Sequence, residues 1–378
     1  MNELARLRQE KAQLGQPVLD LTETNPAHCG FEYGDVLAQF QNPGMLRYEP
    51  DPHGLPAARE AVAAYFLRRG VHVHPEQIFL TSSTSEAYAY VFGLLTDPGD
   101  RVLAPRPSYP LLDYLASLND ITLETYPLHY DAGWQIDRQA LAALLAARPR
   151  AVVVIHPNNP TGSYIHASER EFLVERCAEA QAALIADEVF LDYAYPGSAP
   201  DFSFAGEERA LTFTLSGLSK ISALPQMKCA WIAVSGPSEF RHEAIERLEV
   251  IADTYLSLSA PVAHALPALL EMSGSIQAQI MARLLSNLAA LDGQIPPGST
   301  ITRLAIEGGW CAVLRLPALL SDEEWALLML REDGILVHPG HFYDFEGGSF
   351  IVVSLLTRPD IFADGIARLA ARVRDTAK

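Results

Sequence analysis

Between Ile78 and Val234 the chain alternates short apolar runs with amphipathic stretches, and no other feature restricts its fold so strongly. Residues 78–81, 101–104, 121–126, 151–155, 183–186, 211–215 and 230–234 are short, apolar and bounded by turn-forming residues, which predicts strands. Residues 85–95, 110–118, 138–147 and 167–182 fall between them and predict helices. Ala151-Val152-Val153-Val154-Ile155 has no polar face, as expected of a strand covered on both sides. The expected architecture is α/β, with a seven-stranded, mostly parallel sheet between helices. Ligands of such sheets sit beyond the carboxyl ends of the strands, so function is sought in the turns that follow them.

The flanks differ. Residues 3–14 predict a helix, Asn25-Pro26 a turn, and 55–69 a helix ended by Gly70. After Val234, residues 237–253, 260–272 and 275–291 predict three consecutive helices. Strands near 301–306 and 311–315, a helix at 322–332, strands at 335–338 and 350–356 and a helix at 360–375 predict a smaller α/β lobe. The 378 residues suffice for two domains. The expected division is an N-terminal small-domain segment (1–45), a large domain (46–285) and a C-terminal small domain (286–378).

With 28 basic and 46 acidic residues the net charge is -18, which argues against nucleic acid and anionic membranes as partners. No apolar run approaches a membrane span, and the N-terminus lacks a signal-peptide core. Cys29, Cys177, Cys229 and Cys311 are widely spaced, which fits buried thiols in a reducing cytoplasm rather than disulfides or zinc.

The turns after the strands carry a consistent set of groups. Thr81-Ser82-Ser83-Thr84-Ser85-Glu86 reads either as an anion cup at a helix N-terminus or as ordinary capping. Tyr109, among prolines, is a stacking surface or a core tyrosine. His156-Pro157-Asn158-Asn159-Pro160-Thr161-Gly162 can aim the Asn159 amide into the crevice or simply form a polar turn. Asp187 can pair with a protonated ring nitrogen or cap a helix. Lysine occurs at only four positions, and Lys220 follows a buried strand. An amine there is either a surface charge or a desolvated nucleophile suited to a Schiff base. Together these groups match the needs of pyridoxal 5'-phosphate. No Gly-x-Gly spacing supports a dinucleotide instead.

Asn158-Asn159-Pro160-Thr161-Gly162, then Asp187-Glu188, then Ser219-Lys220, in this order and spacing, resembles the class I/II aminotransferases, fold-type I pyridoxal-phosphate enzymes. The resemblance runs over nearly the whole chain. It implies Lys220 as the Schiff-base lysine and proton shuttle, and Asp187 as the partner of the pyridine nitrogen. Asn159 matches the donor to the ring hydroxyl, which also faces substrate, and Tyr109 the stacking aromatic. Ser83, Thr84 and Ser85 match the phosphate loop, with Ser219 and Ser216 adding hydroxyls. Tyr48 resembles a tyrosine that reaches the phosphate of a neighbouring subunit, which implies a homodimer. The implied reaction moves an amino group from an amino acid or related amine to a 2-oxo acid. A lyase or decarboxylase on the same scaffold, or a regulatory protein that binds the cofactor without turnover, are the alternatives.

Three positions depart from the family pattern. Lys228 stands where an arginine is usual, which keeps the charge and loses the bidentate fork. Phe190 stands where a tyrosine often donates to the ring oxygen. One such bond is worth roughly 1.5–3 kcal/mol, or about 1–2 pK units. The Schiff-base nitrogen is therefore expected to titrate at higher pH than in a Phe190→Tyr variant, and coincident absorbance titrations would refute this. Val352 occupies the place of the arginine that holds the substrate carboxylate. Arg358, six residues on, lies roughly 20 Å away along a strand. Either the strand register differs, or Asn159, Lys228, Arg303, Arg315 or His341 takes that role, or the substrate is not a simple α-amino acid.

Overall fold

The computed structural model describes residues 2–378 except 199, 201 and 297. In chain order its strands are β1 (Leu19–Asp20), β2 (Ile78–Thr81), β3 (Arg101–Arg106), β4 (Thr122–Tyr130), β5 (Trp134–Ile136), β6 (Ala151–Ile155) and β7 (Ala183–Asp187). They continue with β8 (Thr212–Gly217), β9 (Ala230–Ser235), β10 (Thr302–Arg303), β11 (Cys311–Leu316), β12 (Ile335–Leu336), β13 (His338–Pro339) and β14 (Ser349–Ser354). The helices are α1 (Glu3–Gln13), α2 (Pro56–Arg68), α3 (Thr84–Leu95), α4 (Leu111–Leu118), α5 (Arg138–Leu145) and α6 (Ala167–Ala180). They continue with α7 (Leu218–Ile221), α8 (Ser238–Tyr255), α9 (Ala260–Glu271), α10 (Ser273–Gln294), α11 (Asp322–Leu328) and α12 (Pro359–Thr376).

The large sheet runs β2-β9-β8-β7-β6-β3-β4-β5. Pairing is parallel from β8 through β4, and antiparallel where β9 meets β2 and β8 and where β5 meets β4. It has eight strands rather than the expected seven. The extra one, β5, is a three-residue hairpin return with only Trp134 and Ile136 buried, too short to register as a periodicity.

Strand alternation assigns side chains to faces. Val153, Ile185, Phe213 and Ile232 pack with Val91, Phe92 and Leu248 from α3 and α8. On the other face Val152, Val154 and Leu184 meet Leu173 and Cys177 of α6. Each such burial contributes about 1.5–3 kcal/mol, which is why the strands read as unbroken apolar runs.

The small sheet runs β10-β11-β14-β13. Three expectations change here. The strand expected near 301–306 shortens to β10, Thr302–Arg303. The run 335–338 divides: Ile335 and Leu336 pair in parallel with Leu19 and Asp20, while His338 and Pro339 pair antiparallel with Val352 and Ile351. The N-terminal segment thus supplies the partner that the sequence pattern lacked. The expected helix 322–332 ends its α-turns at Leu328 and continues as a π-turn, Met329–Asp333, closed by Gly334 at φ +67. Among the described residues no helix is long and apolar enough to cross a membrane.

Candidate active site

A cavity of about 250 Å³ opens beyond the carboxyl ends of β6, β7 and β8. Thr84 and Tyr88 of α3, Tyr109, Asn159, Asp187, Ser219 and Lys220 line it from the large sheet. Thr24, Phe190, Trp310, Cys311, His338 and Tyr343 line it as well.

Lys220 sits in the single turn α7, directly after β8. Gly217 permits this, because a Cβ there would lie 2.7 Å from the carbonyl oxygen of Cys229 on the neighbouring chain segment. The Lys220 carbonyl accepts a hydrogen bond from the Tyr193 hydroxyl at 2.6 Å. Its Nζ lies 4.7 Å from the ring centre of Trp310 and 5.2 Å from that of Phe190. Burial lowers the amine to about 8, against the opposing pull of Cys311 and Asp187.

Asp187 ends β7, in register with Ile155 and Leu215. Its Oδ1 accepts from the Val189 N–H at 3.2 Å and its Oδ2 from the Tyr88 hydroxyl at 3.1 Å. Burial raises the carboxyl to about 6, partly offset by those two donors and Lys220. Glu188 plays a different part. The Ser203 hydroxyl and Phe204 N–H bind it at 2.6 and 2.7 Å, which anchors the following segment.

Asn158 and Asn159 also differ in role. The Asn158 side chain accepts from the Thr161 hydroxyl and donates to the Pro107 carbonyl, which fixes the turn. Gly162, at φ +70, faces the carbonyl of Gly308, where a Cβ would clash. Asn159 lines the cavity, and its amide has no protein hydrogen-bond partner among the described residues.

The anion-cup expectation resolves residue by residue. The Ser83 hydroxyl is the N-cap of α3, accepting from the Glu86 N–H at 3.2 Å. Thr84 lines the cavity, where the first turn of α3 presents N–H groups without intrahelical partners. Ser85 is half-buried and outside the lining. Ser219 lines it, whereas the Ser216 hydroxyl turns to the Glu188 carbonyl. Lys228 is exposed in a left-handed turn at φ +50, outside the cavity. Tyr48 is 83% exposed and also lies outside it, beside Ser257 and His264.

Of the candidates for a carboxylate, Arg303 pairs with Asp292 at 2.6 Å, Arg315 is exposed on β11, and His341 binds Asp322. None of these three lines the cavity, and among the described residues neither does any other arginine. Arg358 caps the start of α12 and pairs with Asp360. Sequence reasoning missed Tyr88, Thr24, Trp310 and Cys311. Tyr88 alone left a signal, since it follows Thr84 by four residues and so shares its helix face.

The family model of the class I and II aminotransferases matches residues 32–358. Glutamate-pyruvate aminotransferase AlaA of Haemophilus influenzae is 27% identical, over 99% of this chain and 94% of its own. Alanine aminotransferase of Mycobacterium tuberculosis is 30% identical, over 97% and 86%. The fold matches that of Pyrococcus furiosus alanine aminotransferase with a TM-score of 0.89 at 22% identity, over 99% and 96% of the two chains. The chain belongs to the aminotransferase class I and II family.

Proposed function

We propose that the cavity binds pyridoxal 5'-phosphate and that the protein transfers an amino group between an amino acid, or a related amine, and a 2-oxo acid. The observation that carries this reading is a half-buried amine and a half-buried carboxylate, Lys220 and Asp187, on the wall of one cavity at the ends of adjacent strands. The residues fit the group. The α3 N-terminus, Thr84 and Ser219 suit a phosphate, and Asp187 suits a protonated ring nitrogen. The unpartnered Asn159 amide suits a ring hydroxyl, Tyr109 a ring face and Lys220 an aldehyde. When bound, the cofactor would supply an electron sink and a carbonyl that takes up amines.

The chain's own residues then have distinct roles. Asp187 is an anion above about pH 6 and holds positive charge beside it. Lys220, brought to about 8, can both accept and return a proton near neutral pH. Phe190 and Trp310 flank its amine and exclude water from that side. We assign Tyr48 to the phosphate of a neighbouring subunit, because it is exposed and outside its own cavity; this makes the functional unit a homodimer. The four buried free thiols fit a reducing cytoplasm.

The test is a spectral one. The purified protein should carry the visible cofactor band, an amino donor should bleach it, and a 2-oxo acid should restore it. Release of ammonia or carbon dioxide without restoration would replace transamination with elimination or decarboxylation.

A further inference from the structure

We propose that His338, oriented by Tyr343, is the residue that binds the substrate's acid group. This rests on the transamination reading above and names what recognises the substrate within it.

The small sheet carries the observation. His338 on β13 and Val352 on β14 are directly paired, so their side chains share one face of the sheet. Val352 is 1% exposed and packs with Cys311, Val313 and Tyr343, which leaves it no polar role. His338 lines the cavity, and its Nδ1 lies 2.9 Å from the Tyr343 hydroxyl. Among the described residues its Nε2 has no protein partner. If the Tyr343 hydroxyl donates to Nδ1, the ring proton lies on Nε2, which then serves as a donor.

The chemistry of the walls narrows the choice. Lys220 and Asp187 are committed to the cofactor, and among the described residues no arginine lines the cavity. Among the described residues three other side chains on the walls carry unpartnered nitrogen donors, Asn159, Trp310 and His338; the Trp310 indole N–H is shut off from solvent, which leaves the Asn159 amide and His338. Burial lowers the His338 pKa, with Asp20 opposing and Arg8 assisting, so the ring enters as a neutral donor. Two neutral N–H groups can satisfy an acid oxygen apiece, without the ion pair that a guanidinium would provide.

The experiment isolates the carboxylate by comparing two probes. 2-Methylalanine and tert-butylamine differ in that a methyl group replaces the carboxylate, and neither has a proton on the carbon that bears nitrogen. Their dissociation constants are read from the change in the cofactor band of the holoenzyme. In the wild type the ratio of the two should be about tenfold or more, which corresponds to ~1.4 kcal/mol. His338→Leu should bring the ratio close to one. His338→Gln, which keeps a donor near the Nε2 position, should hold it within roughly threefold of wild type.

A wild-type ratio near one, an unchanged ratio in His338→Leu, or a glutamine variant no better than leucine would each overturn the assignment. If the leucine variant does not fold, Tyr343→Phe removes a single oxygen and should still reduce the ratio by about threefold; no change there has the same force. A wild-type protein without the cofactor band would instead overturn the cofactor reading itself.

Discussion

Lys220→Ala is expected to lower transamination by roughly 10²–10⁴-fold, the usual cost of removing a positioned proton-transfer group. Lys220→Arg should be nearly as impaired. It keeps a positive charge, but a guanidinium does not give up its proton in proteins and so supplies no neutral nitrogen. The physical basis is the environment of the wild-type amine, which is half-buried beside two aromatic rings and brought to about 8. A lowered amine pKa means that the neutral form gains population as pH rises to that value. Capture of the cofactor aldehyde by the apo-protein should therefore accelerate about tenfold per pH unit up to about 8 and then level off. Stopped-flow absorbance reads the capture, and single-turnover assays read the variants. Activity of Lys220→Ala within tenfold of wild type would remove Lys220 from the mechanism.

Asp187→Asn should lower kcat by roughly 10²–10³-fold, in the range of losing one preorganised electrostatic partner. The substitution nearly preserves shape, so the Tyr88 and Val189 contacts can persist while the charge is lost. The variant should retain cofactor through Lys220 and the α3 N-terminus, which separates this defect from simple loss of binding. The pH dependence has a defined sign. Burial raises Asp187 to about 6, so protonation as pH falls through that value removes the anion. Cofactor affinity of the wild type should weaken below about pH 6, and the asparagine variant should lack that limb. Equilibrium dialysis against the cofactor across pH measures both. Parallel curves for the two proteins would show that the Asp187 charge is not what holds the ring nitrogen.

The large sheet was legible because its strands are buried on both faces, so that Ala151 to Ile155 and Ala183 to Ala186 appear as apolar runs ended by polar turns. Lys220, Asp187 and Asn159 were legible because each sits where such a run stops. The three-residue β5 was not, since so short a segment has no measurable period. The split between β12 and β13 was not either, because Ile335 and Leu336 find their partners at the opposite end of the chain, on Leu19 and Asp20. Ser83, Ser85 and Ser219 show a finer limit. All three are small hydroxyl residues after a strand, yet only Ser219 lines the cavity. Which hydroxyl caps a helix and which faces a ligand depends on a rotation of about 100° per residue and on the exact start of the helix.

The sequence by itself determined the alternation of strands and helices in the large sheet and the placing of Asp187 and Lys220 where two of those strands stop, because burial and turn chemistry act on neighbours along the chain. The tertiary structure alone decided what surrounds that pair. The Tyr88 hydroxyl reaches Asp187 across 99 positions, and Trp310 arrives beside Lys220 from the other lobe. His338 comes to stand next to Val352 through strand pairing. Such contacts are set by the register of strands and the docking of lobes, and these depend on packing between segments that carry no local record of one another.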